Sequence, residues 1–297
     1  MRAFRSLLCL AALTATASSV PMVYKDGFWF TKVKVGEAQL NLLMDTGGGP
    51  ILVNPGLYKP SSASGPAPGK GQHSWLLYES TEKDGSGTQN FTMRFHEETV
   101  SLPGSALSAS KIVIGVLDDD SPALPGDGLI GFDNVNMWNY STAFVPTSCA
   151  QGTLKPCKFG LQLNSDDTGA FITDDRLMQG PKEMATIGNG NKGSALDRKA
   201  FGWIAQNTSQ VIQVTVGGVP VIGSSVDNFQ VDSGTANTVM TPALATLHAV
   251  PTSHPQGYKI DGVQFDFLPQ HIVARRDVAA ERCYAGVVGD KNANSPM

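Results

Sequence analysis

The chain has 297 residues, a formal net charge of −4 and only 16% charged residues, against about 25% in an average domain. With 22 Lys and Arg and no basic run, nothing favours a nucleic-acid partner or an anionic membrane surface. A hydrophobic content of 41% is enough for a core and excludes global disorder. At roughly 150 residues per domain, the length allows one large or two medium domains.

Residues 1–17 have the form of a secretory signal peptide. Arg2 and Arg5 supply the positive start, Leu7 to Leu13 the short apolar run, and Ala15-Thr16-Ala17 the small-residue cleavage site. The run is too short to span a membrane, and no later stretch approaches 18 apolar residues. The expected product is soluble, secreted and extracellular. Val20 to Val35 alternates as a strand, Gly36-Glu37-Ala38 turns, and Leu40 to Met44 returns as a second strand. Pro60 to Gly71 is a Ser/Gly/Pro-rich loop. Phe91 to Leu102, Lys111 to Leu117 and Phe159 to Leu163 are further strands. Met184 to Asp197 is rich in Gly and Asn. Val211 to Val221, broken at Gly217-Gly218, suits a hairpin, and Pro242 to Val250 suits a short helix. Long helical periodicity is absent, so the chain is expected to be mostly β.

Secretion sets how the cysteines are read. Cys9 leaves with the signal. Cys149 and Cys157, with Gly152 and Pro156 between them, suit a local disulfide. Cys283 is then the odd one out. No Cys-x-x-Cys occurs and no His adjoins these positions, so a metal site is not expected. Asn90-Phe91-Thr92, Asn139-Tyr140-Ser141 and Asn207-Thr208-Ser209 are N-glycosylation acceptors.

Two segments carry the chemistry. Leu42-Leu43-Met44-Asp45-Thr46-Gly47 and Phe229-Gln230-Val231-Asp232-Ser233-Gly234-Thr235 each run from an apolar strand into Asp, a hydroxyl residue and Gly. The two Asp are 187 residues apart. Such a repeat suggests two similar halves, each giving one carboxylate to a shared site. Two carboxylates held close cannot both ionise, so they share a proton. The ionised member activates a water and the protonated member polarises the carbonyl under attack. Thr46 and Ser233 can brace the loops. Gly47 and Gly234 let backbone N–H groups approach the carboxylates. This chemistry needs no cofactor, metal or covalent nucleophile. Rival motifs are weaker. Gly188 to Gly193 fits a Gly-x-Gly-x-x-Gly pattern without a strand–helix unit around it. Asp118-Asp119-Asp120 lacks cation-loop spacing and suits a solvated turn. Neither His-Glu-x-x-His nor Gly-x-Ser-x-Gly is present.

These motifs resemble those of the pepsin-like aspartic proteases, whose signature is apolar-apolar-Asp-Thr/Ser-Gly once per lobe. A third family feature, an apolar-apolar-Gly strand behind the first Asp loop, is matched by Leu129-Ile130-Gly131. The resemblance covers about residues 22 to 290. It implies an all-β bilobal fold with the cleft between lobes, residues 18–175 forming the first lobe and 176–297 the second. It implies Asp45 and Asp232 as the dyad, supported by Thr46, Gly47, Ser233, Gly234 and Thr235, the last bonded to the outer oxygen of Asp232. It also implies a flap hairpin at Asp84-Gly85-Ser86-Gly87. The expected activity is acid endopeptidase action on an extended polypeptide, by a monomer. Departures stand beside the matches. Gly48 replaces the family's Ser, Leu52 its Trp, and Asp84 its flap Tyr. The signal leaves no room for the family's propeptide. Val287-Val288-Gly289-Asp290 corresponds either to the second lobe's apolar-apolar-Gly strand or to the strand before it, and the second lobe is expected to be shortened. The alternative is therefore a secreted, catalytically inactive homologue acting as a binding or inhibitor protein.

Overall fold

The computed structural model describes residues 19–68, 73–80, 87–133, 136–164 and 166–173. In the second half it describes 203–206, 212–216, 218–226, 228–235, 238–240, 256–260, 263–267, 273–277, 282–285 and 287–289. The signal segment, the lobe boundary near 175, the Gly/Asn-rich stretch 184–197, the expected helix 242–250 and residues 290–297 lie outside the described residues.

Strands β1 (Ser19–Lys25), β2 (Phe28–Val35) and β3 (Ala38–Asp45) form an antiparallel meander. The single strand expected over Val20 to Val35 is thus two. Asp26 and Gly27 both take positive φ, at 52° and 92°, which makes the tight turn whose twist suits a hairpin. Then come β4 (Ile51–Val53), β5 (Gly65–Pro66), β6 (His73–Ser80), β7 (Gly87–Ser101), β8 (Ser108–Leu117) and β9 (Gly128–Gly131). Helix α1 (Phe144–Ala150) and strands β10 (Gly160–Leu163) and β11 (Thr168–Ile172) follow. All eleven strands form one sheet in the order β10-β11-β1-β2-β3-β9-β4-β8-β7-β5, with β6 on β7. The loop expected over Pro60 to Gly71 holds only the two-residue β5. The short α1 was not foreseen, because no polar residue caps it and no periodicity marks it. Burial of Phe144 and Val145 holds it in place. Cys149, in its last turn, is disulfide-bonded to Cys157 beyond it, with Cα atoms 5.3 Å apart.

The sheet separates two cores. On one face Val33, Val35, Leu42, Met44, Ile51, Ile114 and Ile130 pack with Phe132, Phe144 and Phe171. On the other, Leu43, Leu52, Phe91, Met93, Phe95 and Leu129 pack together. β3 and β9 pass between these cores, and β9 is buried along its whole length.

The second half contains β12 (Trp203–Gln206), β13 (Ile212–Val216), β14 (Val219–Val226), β15 (Asn228–Val231), β16 (Thr238–Met240), β17 (Gln256–Ile260), β18 (Val263–Phe267), β19 (Val273–Asp277), β20 (Arg282–Ala285) and β21 (Val287–Gly289). The expected hairpin over Val211 to Val221 is β13–β14, turning at Gly218 with φ 75°. β21 lies parallel to β16 through the pair Val239 and Val288, as β8 lies parallel to β4 through Leu52 and Gly115. Val287-Val288-Gly289 is therefore the counterpart of β8, not of β9. Among the described residues, no strand lies beside β15 as β9 lies beside β3.

One buried carboxylate anchors the loop after β4. Glu98 is 1% exposed. Its Oε1 accepts from Ser61 Oγ at 2.6 Å and Thr99 N at 2.7 Å, and its Oε2 from Tyr58 Oη and Ser61 N, both at 3.0 Å. Burial pushes its pKa up, but the four donors together outweigh burial and hold it below the usual 4.5. A depressed folded pKa contributes stability above the unfolded value, and that contribution is lost as pH falls through the folded one. Glu98→Gln should therefore cost about 1–3 kcal/mol at neutral pH. The deficit, measured by urea unfolding, should shrink as the pH is taken below the ordinary glutamate range.

Candidate active site

The first Asp loop rests on a strand buried on both faces. Leu42 and Met44 enter one core and Leu43 the other, and Asp45 ends the strand at 4% exposure. β9 runs parallel behind it and pairs Met44 with Ile130 and Asp45 with Gly131. The backbone beyond β9 then holds the loop. Phe132 N donates to Asp45 O at 2.7 Å, Asp133 N to Gly48 O at 3.0 Å, and Gly131 N to Pro50 O at 2.9 Å. Gly131 is required there, because a Cβ would overlap the Gly48 carbonyl oxygen and lie 2.7 Å from that of Pro50. The Leu129-Ile130-Gly131 motif pointed to this strand. The clamping N–H groups of Phe132 and Asp133 were missed, since backbone donors leave no mark in residue identity.

The second loop follows β15, and two hydroxyls join it to the first across 187 residues. Ser233 N donates to Thr46 Oγ1 at 2.9 Å, and Thr46 N donates to Ser233 Oγ at 3.1 Å. Ser233 Oγ donates in turn to Met44 O at 2.6 Å. Each carboxylate accepts from its own loop, Asp45 Oδ1 from Gly47 N at 2.9 Å and Asp232 Oδ1 from Gly234 N at 2.8 Å. The two glycines also let the carboxylates meet. A Cβ on Gly47 would lie 2.5 Å from Asp232 Cγ, and one on Gly234 would lie 2.5 Å from Asp45 Oδ1.

The site is not symmetric. Three residues after Asp232, Thr235 Oγ1 donates to Asp232 Oδ2 at 2.5 Å. Three residues after Asp45 stands Gly48, which gives Asp45 only its backbone N–H. Burial, then the charge of Asp232, then a hydrogen bond with it raise the Asp45 pKa well above the ordinary carboxylate value, against the lowering pull of the Gly47 and Gly48 N–H groups. The site thus favours the neutral form of Asp45. The arrangement can hold a protonated carboxyl beside a carboxylate, as general acid and general base.

The remaining candidates are dispersed. Of the flap segment, Gly87 begins β7 opposite Ser80, and Asp84, Gly85 and Ser86 lie outside the described residues. Leu52 is fully buried among Met93, Phe95 and Leu129. Asn90 is exposed on β7, Asn139 is exposed in a turn with φ 61°, and Asn207 lies outside the described residues. Cys283 sits on β20 opposite Arg276. Asp118 meets His73 at 2.7 Å and Arg94 at 3.4 Å.

Comparison with known proteins gives the fold. No family model matches the chain, and no curated protein matches its sequence. Solved structures do match, 384 chains among them. One is an aspartic proteinase from Irpex lacteus, with a TM-score of 0.65 over 92% of this chain and 86% of that one. The fold is the bilobal, all-β pepsin-like fold. At 19% identity the likeness establishes the fold alone. No helix among the described residues is long and apolar enough to cross a membrane.

Two expectations follow from the packing of the loops. Gly47→Ala should push Asp232 away and cost about 1–3 kcal/mol of stability, as overpacking does, read by urea unfolding. A raised folded pKa contributes stability below the unfolded value, and that contribution is lost as pH rises through the folded one. Asp45→Asn, which carries no charge, should therefore match the parent chain in acid and exceed it in stability toward neutral pH, as read by thermal unfolding.

Proposed function

We propose that the chain is a secreted aspartic endopeptidase that cleaves extended polypeptides at acidic pH. The single observation that carries this reading is the reciprocal Thr46–Ser233 brace, which holds Asp45 against Asp232. In the first step Asp232 takes a proton from a water held between the carboxyls, and the water oxygen bonds to the scissile carbonyl carbon. Asp45 donates its proton to the carbonyl oxygen, which relieves the developing charge. As the tetrahedral carbon collapses, its hydroxyl proton returns to Asp45. The amide nitrogen takes the proton from Asp232, and the C–N bond breaks. Acid and base roles are thereby restored without a covalent intermediate.

The sites proposed with it follow the sequence. Residues 1–17 direct secretion, 18–175 carry the first Asp loop and 176–297 the second. The Cys149–Cys157 bond fits an oxidising compartment. The hairpin of β6 and β7 would supply the flap. A second reading, an inactive homologue that binds or inhibits another protein, is favoured by one observation. Asp45 has Gly48 where Asp232 has Thr235, so its outer oxygen lacks the hydroxyl its partner receives.

Digestion of casein at about pH 3 to 5, with and without pepstatin, separates the two. Pepstatin-sensitive cleavage that disappears in Asp45→Asn is the expected result. Folded protein without activity would assign the chain to the binding role, and undiminished activity of Asp45→Asn would remove the dyad from the reaction.

A further inference from the structure

Trp75 stands on β6 with 60% of its surface exposed. A singly exposed ring is ordinary on a protein surface, so it is what stands beside Trp75 that matters. The register of the β6–β7 hairpin sets Trp75 opposite Thr92 and Leu77 opposite Asn90. Residues directly opposite each other share a sheet face, and so do residues two apart on one strand. Asn90 is therefore the diagonal neighbour of Trp75 on the outer face, at roughly 7–8 Å, within reach of a long group. The burial pattern of β7 agrees: Phe91, Met93 and Phe95 point into the core, while Asn90 and Arg94 are exposed. Asn90-Phe91-Thr92 is an N-glycosylation acceptor.

We propose that Asn90 carries an N-linked glycan whose first sugar residues lie on the exposed face of Trp75. The occupant is defined by its chemistry. A pyranose ring has one face of C–H groups, apolar and slightly positive, that suits the negative face of an indole. Its hydroxyls stay on the solvent side. The contact joins a group rooted in β7 to a ring rooted in β6, so the glycan would tie the two strands of the hairpin together. Asn139 supplies the internal contrast. The neighbouring Trp138 is packed against Phe95, with ring centroids 4.9 Å apart, and Tyr140 packs on the same Phe95 at 5.4 Å. Beside Asn139, the two adjoining rings are thus both engaged with Phe95. The inference rests on the secretory route proposed above and not on peptide hydrolysis, so it survives if the protein proves inactive.

The test uses the full chain made in a eukaryotic secretory host, with the Asn90 peptide mapped by mass spectrometry. Iodide quenching of tryptophan fluorescence is compared before and after peptide-N-glycosidase F. Subtracting the same measurement on Trp75→Phe isolates the Trp75 contribution. The ring is exposed and makes no core contact to lose, so that variant should fold. The expected result is a modified Asn90 and a Trp75 contribution that rises about twofold on deglycosylation, because one of its two faces is uncovered. Endoglycosidase H, which leaves the first N-acetylglucosamine, should raise it much less. An unmodified Asn90 would overturn the proposal, whether the protein is secreted or retained. So would a Trp75 contribution that does not change on deglycosylation, or one that rises as far with endoglycosidase H.

Discussion

Two aspartates from distant parts of the chain are forced together in a space too dry and too close for both to be charged. Everything else in the described structure can be understood as what this requires. Asp45 is buried and faces Asp232, so the pair is stable only with a proton on it. The repulsion that would otherwise part the loops is met by neutral hydrogen bonds. The Thr46 and Ser233 hydroxyls each accept the other loop's N–H, and Ser233 reaches back to Met44 O. Hydroxyl residues suit this role because each donates and accepts at once. Glycine suits the position after them because any side chain would enter the space of the opposite carboxylate.

A brace of three hydrogen bonds is only as firm as its base. In the first half the base is stiff. β3 ends between two cores, and β9 behind it is wholly buried and bonded to the loop through Phe132, Asp133 and Gly131. Close-packed interiors resist displacement, so the carboxyl of Asp45 is fixed by strands rather than by the loop's own preferences. In the second half, the described strands include a β8-like partner for β16 but none beside β15 in the position of β9. In this half a hydroxyl from Thr235 bonds Asp232 directly. Local bonding on Asp232 and packing behind Asp45 are thus two different ways of holding the same kind of group.

How much of this was legible in the residues depended on whether a feature needs a particular side chain. Asp45-Thr46-Gly47, Asp232-Ser233-Gly234 and Leu129-Ile130-Gly131 each need specific residues, because a shared proton, a two-way hydroxyl and a backbone crossing tolerate few substitutes. The all-β character was legible in alternation such as that of β7. The break between β1 and β2 was written in Asp26-Gly27, a turn signal masked by the apolar residues around it. Helix α1 was not legible, since burial of Phe144 and Val145 holds it rather than propensity or caps. Nor was the Glu98 clasp. Its donors come from Tyr58, Ser61 and the Thr99 backbone, and only the fold brings the first two to Glu98.

Three carboxylates outside the dyad, Glu98, Asp118 and Asp166, titrate in the opposite sense to Asp45. Glu98 is pushed up by burial but pulled further down by its donors. Asp118 is likewise pushed up by burial, and pulled down overall by His73 and Thr92, with Arg94 beside it. Both therefore stay charged in acid that would protonate an ordinary carboxyl, and their hydrogen bonds persist there. Asp45 gains from the same acid, because protonation removes its repulsion from Asp232. Tyr58, raised to about 12 by burial first and by Glu98 as well, remains a donor to Glu98 throughout. Falling pH thus relaxes the site before it loosens the supporting shell. Under the proposed acid chemistry, Glu98 and Asp118 would thus keep their charge and their bonds in the same range in which Asp45 gains its proton.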